Sequence, residues 1–175
     1  MNPTLETGIE AFGLLGRCFV GRQRAWGLVQ DRFGRVRRHF MADIDGRIDD
    51  GRLILDEAFL FEDGELSHRQ WRISVTSPGR FEGEAEDIIG KAQGAETPWG
   101  LFWNYRMALP IGGRNIAFDF RDRMYPQAGG AIINRVEMRK LGFRVGDLTL
   151  MFLRQEQAAR GRAGGVTGPS AAAAE

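Results

Sequence analysis

Three ionisable residues occupy positions that the surrounding sequence pattern reserves for apolar side chains. Glu57 lies in the middle of an alternating apolar row in the segment 53–61, Arg69 continues the row that contains Trp71, and Asp122 lies in the apolar row of the segment 116–124. Because side chains alternate between the two faces of a strand, all three groups should point toward the interior. A buried charge without a partner is unfavourable by several kcal/mol, so these groups must be paired, hydrogen-bonded or in contact with water or a ligand.

Two further polar residues, Asp87 and Asn134, fall on apolar faces in the same way. The guanidinium of Arg69 could bind the carboxylate of a ligand, because its planar fork matches carboxylate geometry. Alternatively, these polar side chains satisfy one another and fix the strand register. Glu57 and Asp122 could carry out acid–base chemistry, but the pattern supplies neither a nucleophile nor a substrate position, and no catalytic residue is assigned.

Large aromatic side chains are expected to form the apolar wall around this polar set. They recur on the inward rows of the later strand-like segments, and in a small barrel the core and the cavity wall are the same residues. The predicted ligand-binding set is therefore the polar and aromatic group Arg69, Glu57, Trp71, Asp87, Trp103, Tyr105, Phe118, Phe120, Asp122 and Asn134.

Turn-forming Gly, Pro and Asp residues recur at short spacing and separate nine strand-like segments. Such a series predicts an all-β fold, an up-and-down antiparallel barrel of eight to ten strands. A short helix at residues 5–16 would cap one end. The barrel domain is expected at residues 1–154, and the Ala- and Gly-rich tail at 155–175 is expected to be disordered. The strand-like segments are 25–30, 36–45, 52–61, 65–75, 80–89, 100–109, 115–125, 131–139 and 148–153.

One hairpin allows a prediction of register. A three-residue loop, Glu62 to Gly64, would pair Leu55 with Trp71, whereas a two-residue loop would pair Leu55 with Arg72. Only the three-residue loop keeps the apolar face continuous across both strands. The same register sets Glu57 opposite Arg69 and predicts an ion pair inside the barrel.

Composition excludes several classes of function. A formal net charge of +1 argues against a nucleic-acid-binding protein. Cys18 is the only cysteine, and His39 and His68 fall on outward faces, so we expect no metal, haem or other cofactor. No apolar run reaches the ~20 residues of a transmembrane helix, and the N-terminus lacks the pattern of a secretory signal. A cytoplasmic location is expected, which allows peripheral contact at the inner membrane. The arginines between residues 17 and 38 and the acidic stretch 43–65 are consistent with two solvated strand faces of opposite charge; alternatively, the arginines form a basic rim that attracts an anionic head group or carboxylate.

Several short segments together resemble a bacterial family of unassigned function, catalogued as domain-of-unknown-function family 3833. The resemblance covers roughly residues 11–153 and implies a lipocalin-like barrel. Many members carry lipoprotein signals, which this N-terminus lacks, and their genes tend to neighbour those of enzymes that modify membrane fatty acids. The segments that carry the resemblance are 25–34, 55–59, 69–71, 87–90, 103–105, 109–113, 122–124 and 133–135.

The leading functional hypothesis is a lipocalin-like barrel that binds a fatty-acyl or other apolar ligand and is linked to bacterial membrane lipid or fatty-acid modification. Its expected partners are an apolar small molecule or lipid and fatty-acid-modifying enzymes. One alternative is an enzyme or accessory subunit that acts on unsaturated or methylated acyl chains. A second alternative is a barrel with a filled interior that serves as a protein-interaction module.

Overall fold

A computed structural model describes residues 8–155. Ten β-strands and a short helix, α1 (Gly13–Phe19), make up most of this part of the chain. A single 3₁₀ turn, Ala128–Gly130, connects β8 to β9. The strands are β1 (Gly21–Asp31), β2 (Val36–Asp49), β3 (Arg52–Phe61), β4 (Leu66–Ser77), β5 (Arg80–Glu84), β6 (Ala92–Thr97), β7 (Gly100–Ile111), β8 (Arg114–Pro126), β9 (Ile132–Lys140) and β10 (Phe143–Arg154).

The strands form a closed antiparallel barrel in which each strand pairs with its neighbours in sequence and β1 pairs with β10. This confirms the predicted all-β, up-and-down architecture and its strand number. The alternation that predicted the strands is visible in the burial pattern of β2, where Phe40, Ala42 and Ile44 are buried and Met41 and Asp43 are exposed. Closure leaves no unpaired sheet edge.

The structure corrects several strand boundaries: β1 begins at Gly21 rather than 25, β10 begins at Phe143 rather than 148, and two larger differences have identifiable causes. β2 continues through Asp45 and Gly46, a pair that resembles a turn in the sequence. The glycine is needed because α1 meets the sheet at this position: a Cβ on residue 46 would lie 1.8 Å from the carbonyl oxygen of Phe19. The predicted strand 80–89 ends at Glu84, and β6 follows. β6 was missed because Ala92 and Gly94 replace large apolar residues on its inward face, where the Trp103 ring occupies the space.

The register predicted for the β3–β4 hairpin is confirmed. Leu55 pairs with Trp71, and Glu57 pairs with Arg69. The loop closes with a hydrogen bond of 3.0 Å from the Phe61 amide to the Glu65 carbonyl, and Gly64 adopts a φ of 84° that favours glycine. A continuous apolar face thus fixes this pairing, as the sequence pattern required.

Helix α1 closes one end of the barrel. Leu15 and Phe19 on α1 are buried, and Phe12, just before it, stacks on Phe81 of β5 with ring centroids 6.5 Å apart. Residues 5–7 of the predicted helix 5–16 lie outside the described residues. Residues 8–11 are helical, and α1 ends at Phe19, three residues beyond the predicted end. The capping position agrees with the prediction, because the apolar face of these residues covers the apolar floor of the barrel.

Side chains from the barrel hold both ends of α1. The Leu14 amide donates a hydrogen bond of 3.0 Å to Oε2 of Glu96 on β6. At the other end, Arg154 of β10 donates a hydrogen bond of 2.9 Å to the Val20 carbonyl oxygen, and Gln23 donates to the Cys18 carbonyl oxygen. A carboxylate at the first turn and a guanidinium at the last both complement the helix dipole.

The buried residues form two clusters. The larger one lies at the α1 end and includes Leu53, Leu101 and Trp103. The smaller one lies toward the opposite end, where Ile88 from the β5–β6 connection packs with Met107, Phe120 and Val136. Between the two clusters the interior is incompletely filled.

Within residues 8–155, no helix is long and apolar enough to cross a membrane. The tail predicted to be disordered lies outside the described residues apart from Gln155.

Replacing Gly46 with alanine should destabilise the protein, because the added Cβ would collide with the backbone of α1 rather than with a flexible side chain. We expect the free energy of unfolding to fall by about 2–3 kcal/mol, the upper part of the range for overpacked interiors. Urea denaturation measures this. The matched control is Gly83→Ala, whose Cβ would contact only the rings of Trp71 and Trp103, at 3.3 Å or more. An equal or larger loss of stability in the control would contradict the conclusion that the contact with α1 requires glycine at position 46.

Candidate ligand-binding site

A cavity of about 120 Å³ lies inside the barrel between the two clusters. Most of its wall is apolar, and α1 contributes Leu15 and Phe19 to its floor. Seven members of the predicted ligand-binding set lie in the wall: Glu57, Arg69, Trp71, Trp103, Tyr105, Asp122 and Asn134.

The other three predicted residues lie behind the wall. Phe118 and Phe120 belong to the smaller cluster, where Phe120 stacks on Tyr105 at 5.2 Å and supports that ring against the cavity. Asp87 is located in the connection after β5 rather than on a strand, and it contacts Arg69. These positions give Phe120 and Asp87 supporting contacts to residues of the wall.

Sequence reasoning missed several residues of the wall. Phe40, Ala42 and Ile44 of β2 and Phe59 of β3 line the cavity, and β10 contributes Leu150. The alternation in β2 and β3 carried the signal for four of them, since they share the inward faces that identified the strands. The contribution of α1 had no such signal, because the length and docking of a short helix depend on the barrel that it covers.

Arg69 is bound mainly by Asp87. Its Nε lies 3.1 and 3.0 Å from the two carboxylate oxygens of Asp87, and its Nη2 lies 2.6 Å from Oδ2. The predicted partner Glu57 is more distant, with Oε2 3.6 Å from Nη1 of Arg69. The predicted Glu57–Arg69 ion pair is therefore present, but it is the weaker of the two contacts that Arg69 makes with carboxyl groups. The strand register could not reveal the stronger contact, because Asp87 lies outside the strands.

The carboxylates around Arg69 make this region acidic. Burial raises the pKa of Glu57, the positive charge of Arg69 opposes the rise, and the negative charge of Asp87 adds to it. Burial on its own would lower the pKa of Arg69, but the hydrogen bonds that it donates to Asp87 and the charge of Glu57 raise it. The guanidinium is thus charged and compensated mainly by Asp87, with Glu57 more distant, which weakens the case for a ligand carboxylate at this position. The predicted role of Arg69 in ligand binding stays a prediction.

Asp122 and Asn134 form a second polar group in the wall. Both are buried, with 6% and 3% of their surface exposed. Oδ1 of each has no hydrogen-bond partner within the described part of the chain. Burial raises the pKa of Asp122 to about 7, an effect that Asn134 and Tyr105 oppose and Glu57 reinforces. Near neutral pH this carboxyl can therefore either donate or accept a hydrogen bond.

The chemistry of the wall is suited to binding. Among the described residues, the cavity is lined by no serine, cysteine, lysine or histidine that could act as a nucleophile. Its titratable groups are two carboxyls, one guanidinium and Tyr105, whose pKa is held well above its usual value mainly by burial. His39 and His68 are exposed, as their alternation predicted. A mainly apolar cavity with a few convergent polar groups is typical of a ligand site.

Comparison with known proteins agrees with this architecture. A family model described as a protein of unknown function (DUF3833) matches residues 11–154. The chain belongs to this family. No curated protein matches it by sequence.

Among solved structures, the S-type phycobiliprotein lyase CPES from Guillardia theta has a similar fold, with a TM-score of 0.54 and 8% sequence identity. The alignment covers 85% of this chain and 91% of the lyase chain. This member of the DUF3833 family is a closed antiparallel β-barrel of ten strands, and the lyase shares its overall fold. At this identity the similarity concerns the fold alone.

Asp87 should stabilise Arg69 more than Glu57 does, because it makes the bidentate contact. Double-mutant cycles that combine Arg69→Met with Asp87→Asn or with Glu57→Gln measure the two coupling energies by chemical denaturation. We expect about 2 kcal/mol for Asp87 and less than half of that for Glu57, within the range of roughly 0.5–3 kcal/mol for contacting residues. A larger coupling energy to Glu57 would contradict the geometry.

Asp122 should make the protein less stable as the pH rises from about 4 to about 7. Its pKa is 3.8 for a free side chain and about 7 in the barrel. Below this window both states bind the proton, and within it the unfolded chain releases the proton first, so unfolding becomes easier until the native carboxyl also ionises. The loss should be on the order of 3 kcal/mol.

Comparing denaturation of wild type with that of Asp122→Asn across this pH range isolates the contribution of Asp122, since asparagine does not titrate. Asp119→Asn, an exposed change on the outer face of the same strand, is the matched control. An unchanged difference between wild type and Asp122→Asn from pH 4 to 7 would show that this carboxyl titrates normally.

Proposed function

We propose that this protein binds an amphipathic, mainly apolar ligand inside the barrel, and that the ligand belongs to the fatty-acyl class. The observation that carries the proposal is the apolar cavity whose wall includes two buried oxygens, Oδ1 of Asp122 and Oδ1 of Asn134, without a partner in the described residues. Leaving such atoms unsatisfied is unfavourable by about 1–3 kcal/mol each, whereas a bound polar group would satisfy them.

The polar head of the ligand should carry a hydrogen-bond donor, such as a hydroxyl or an amide. A carboxylate head beside Arg69 is disfavoured, because Asp87 and Glu57 already compensate this guanidinium and would repel another negative charge. Asp122 and Asn134 offer acceptor oxygens in the cavity wall, and Asp122 can also donate when it is protonated. The interior therefore favours a neutral head that can both donate and accept a hydrogen bond, such as a hydroxyl or an amide, over a carboxylate.

The enclosed volume sets the length of chain that can be buried. At about 120 Å³ the cavity is smaller than the roughly 300–1,000 Å³ that is usual for drug-sized ligands. It accommodates part of an acyl chain, and the rest would extend past Phe40 and Phe59 toward the open end. Each buried methylene contributes about 0.8 kcal/mol, so even a partly enclosed chain gains enough for micromolar affinity.

The gene neighbourhoods that the family resemblance implies support the link to bacterial membrane lipids or fatty-acid modification. The cytoplasmic location stays a prediction. The small enclosed volume is the one observation that favours the second candidate, a filled barrel that acts as a protein-interaction module. The two candidates differ in whether the interior exchanges a small molecule.

Filling the cavity tests the proposal. Ala42 lies in its wall, so Ala42→Leu should reduce the affinity for an acyl ligand at least about tenfold, equivalent to 1.4 kcal/mol. Ala58→Leu, the same change on the exposed outer face of the neighbouring strand, is the control and should leave binding unchanged. Titration calorimetry with a medium-chain alcohol and with the acid of equal length reads out both affinity and head-group preference.

Native mass spectrometry of freshly purified protein provides the independent readout, a co-purified ligand whose mass identifies its class. If neither the alcohol nor the acid binds wild type at tens of micromolar and no ligand co-purifies, the lipid proposal fails and the interaction module replaces it. Equal affinity of wild type and Ala42→Leu would show that the ligand binds outside the cavity.

A further inference from the structure

Large apolar side chains are exposed on every hairpin at the open end of the barrel. Because the strands alternate in direction, the β1–β2, β3–β4, β5–β6, β7–β8 and β9–β10 connections all lie at the end opposite α1. Each connection carries at least one large apolar residue that solvent reaches. These residues are Phe33, Leu66, Ile89, Ile111, Leu141 and Phe143.

Charge divides this end into two halves. Residues 31–38 contain four arginines and one aspartate, and residues 139–144 contain two arginines and a lysine. Three of these arginines are paired with acids: Arg37 with Asp31, Arg139 with Glu137 and Arg144 with Asp147. Arg32 and Arg35 lie over the Phe33 ring instead. These two hairpins are neighbours because β1 pairs with β10. Residues 61–66 on the β3–β4 hairpin contain three acids and no base, and two of the acids, Asp63 and Glu65, pair with Arg38 of β2. We call residues 32–35 and 140–143 the basic tip pair.

In the basic tip pair, large and highly exposed apolar side chains lie next to positively charged ones. Phe33, Leu141 and Phe143 are 68%, 84% and 75% exposed. Arg32 and Arg35 stack on the Phe33 ring, 4.6 and 6.0 Å from its centroid. Apolar side chains ringed by cations are the pattern of segments that bind the interface of an anionic bilayer.

Leu141 occupies a position that folding alone does not explain. It is the first residue of the two-residue turn Leu141-Gly142, and its φ of 49° lies in the left-handed region that disfavours side chains such as leucine. At the opposite end of the barrel the turn Asp50-Gly51 has the same shape, with a φ of 45° at Asp50, and carries the usual residue type. An exposed leucine in a strained turn points to contact with something outside the chain.

The tip of the β1–β2 hairpin is held in a defined shape. Oδ1 of Asp31 accepts hydrogen bonds from the backbone amides of Phe33 at 2.9 Å and Arg35 at 3.1 Å. This loop therefore presents the Phe33 ring outward without further ordering. A preformed tip loses little conformational entropy on binding.

We propose that the basic tip pair docks onto the surface of an anionic lipid bilayer. Phe33, Leu141 and Phe143 enter the interface, and Arg32 and Arg35 contact the anionic head groups. The tips project from separate hairpins and form no groove, so they suit a deformable surface better than a rigid protein. The β3–β4 hairpin, whose Asp63 and Glu65 are paired with Arg38, carries no free positive charge to attract the head groups.

Docking goes beyond the proposed ligand binding and does not depend on it, because the tip residues lie outside the cavity wall. It brings the open end of the barrel to the membrane. Loss of docking with intact ligand binding, or the reverse, separates the two proposals.

Co-sedimentation with vesicles tests the inference, with pure phosphatidylcholine vesicles compared with vesicles that also contain phosphatidylglycerol. The full chain should bind the anionic vesicles, and added salt should weaken the binding. Arg32→Gln and Arg35→Gln should each reduce the partition coefficient about fivefold, the equivalent of one cation at an anionic surface.

Leu141→Asn is the most informative variant, because asparagine suits the left-handed turn. The melting temperature should stay the same or rise while vesicle binding falls at least about fivefold, whereas a purely structural leucine would affect the two in the same direction. Leu66→Asn is the control: it removes an exposed leucine, 76% accessible, from the acidic half of the same end and should leave binding within about twofold.

Failure of wild type to bind anionic vesicles overturns the proposal, as does an equal loss in Leu141→Asn and Leu66→Asn. Salt-sensitive, tip-dependent self-association without vesicle binding also overturns it and assigns the tips to a second copy of the chain.

Discussion

The arrangement of the barrel interior depends on the positive charge of Arg69, which is largely removed from water and must be balanced by carboxyl groups. Arg69 extends from β4 into the barrel, and Asp87 meets it with a bidentate contact. To bring Asp87 there, the connection after β5 folds over the interior and runs beside β7, where Ile88 bridges to Met107 and Ala108 donates a hydrogen bond to the Asp87 carbonyl oxygen. Ile88 then becomes part of the smaller apolar cluster. A charge that is costly to bury thus determines the path of a segment without strand pattern.

Both boundaries of the cavity are held by polar contacts in addition to apolar packing. Leu15 and Phe19 of α1 are packed in the larger cluster, and Glu96 and Arg154 fix the two ends of the helix as well. The Arg69–Asp87 contact fixes the other boundary. Apolar interiors normally collapse to crystal-like density, since a void loses dispersion contacts. Here the two boundaries keep their separation, and the wall residues between them retain unfilled volume.

Sequence reasoning succeeded where a single local constraint decided the outcome. Strict alternation identified the strands, and the need for one continuous apolar face decided the β3–β4 register and placed Glu57 opposite Arg69. It failed where the outcome depended on a distant part of the fold. Gly46 resembles a turn residue in the sequence, and only the contact with α1 explains a glycine within the strand. Ala92 and Gly94 lack the large side chains typical of a strand, because the Trp103 ring takes up the interior space beside Gly94. Asp87 was identified as inward-facing. That it lies in a connection, and that it therefore binds Arg69 more closely than Glu57 does, follows only from the three-dimensional structure.

Natural sequences satisfy most local rules, and the positions that break them tend to be functional. Asp122 and Asn134 break the rule that buried polar atoms are paired, since Oδ1 of each has no partner in the described residues. Leu141 breaks two rules, the preference of left-handed turns for small or polar residues and the burial of leucine. Asp50 shows that the same chain follows the ordinary rule at a turn of the same shape. The departures therefore lie on the cavity wall and on a hairpin at the end opposite α1, the two places on which the proposals of ligand binding and of membrane docking rest.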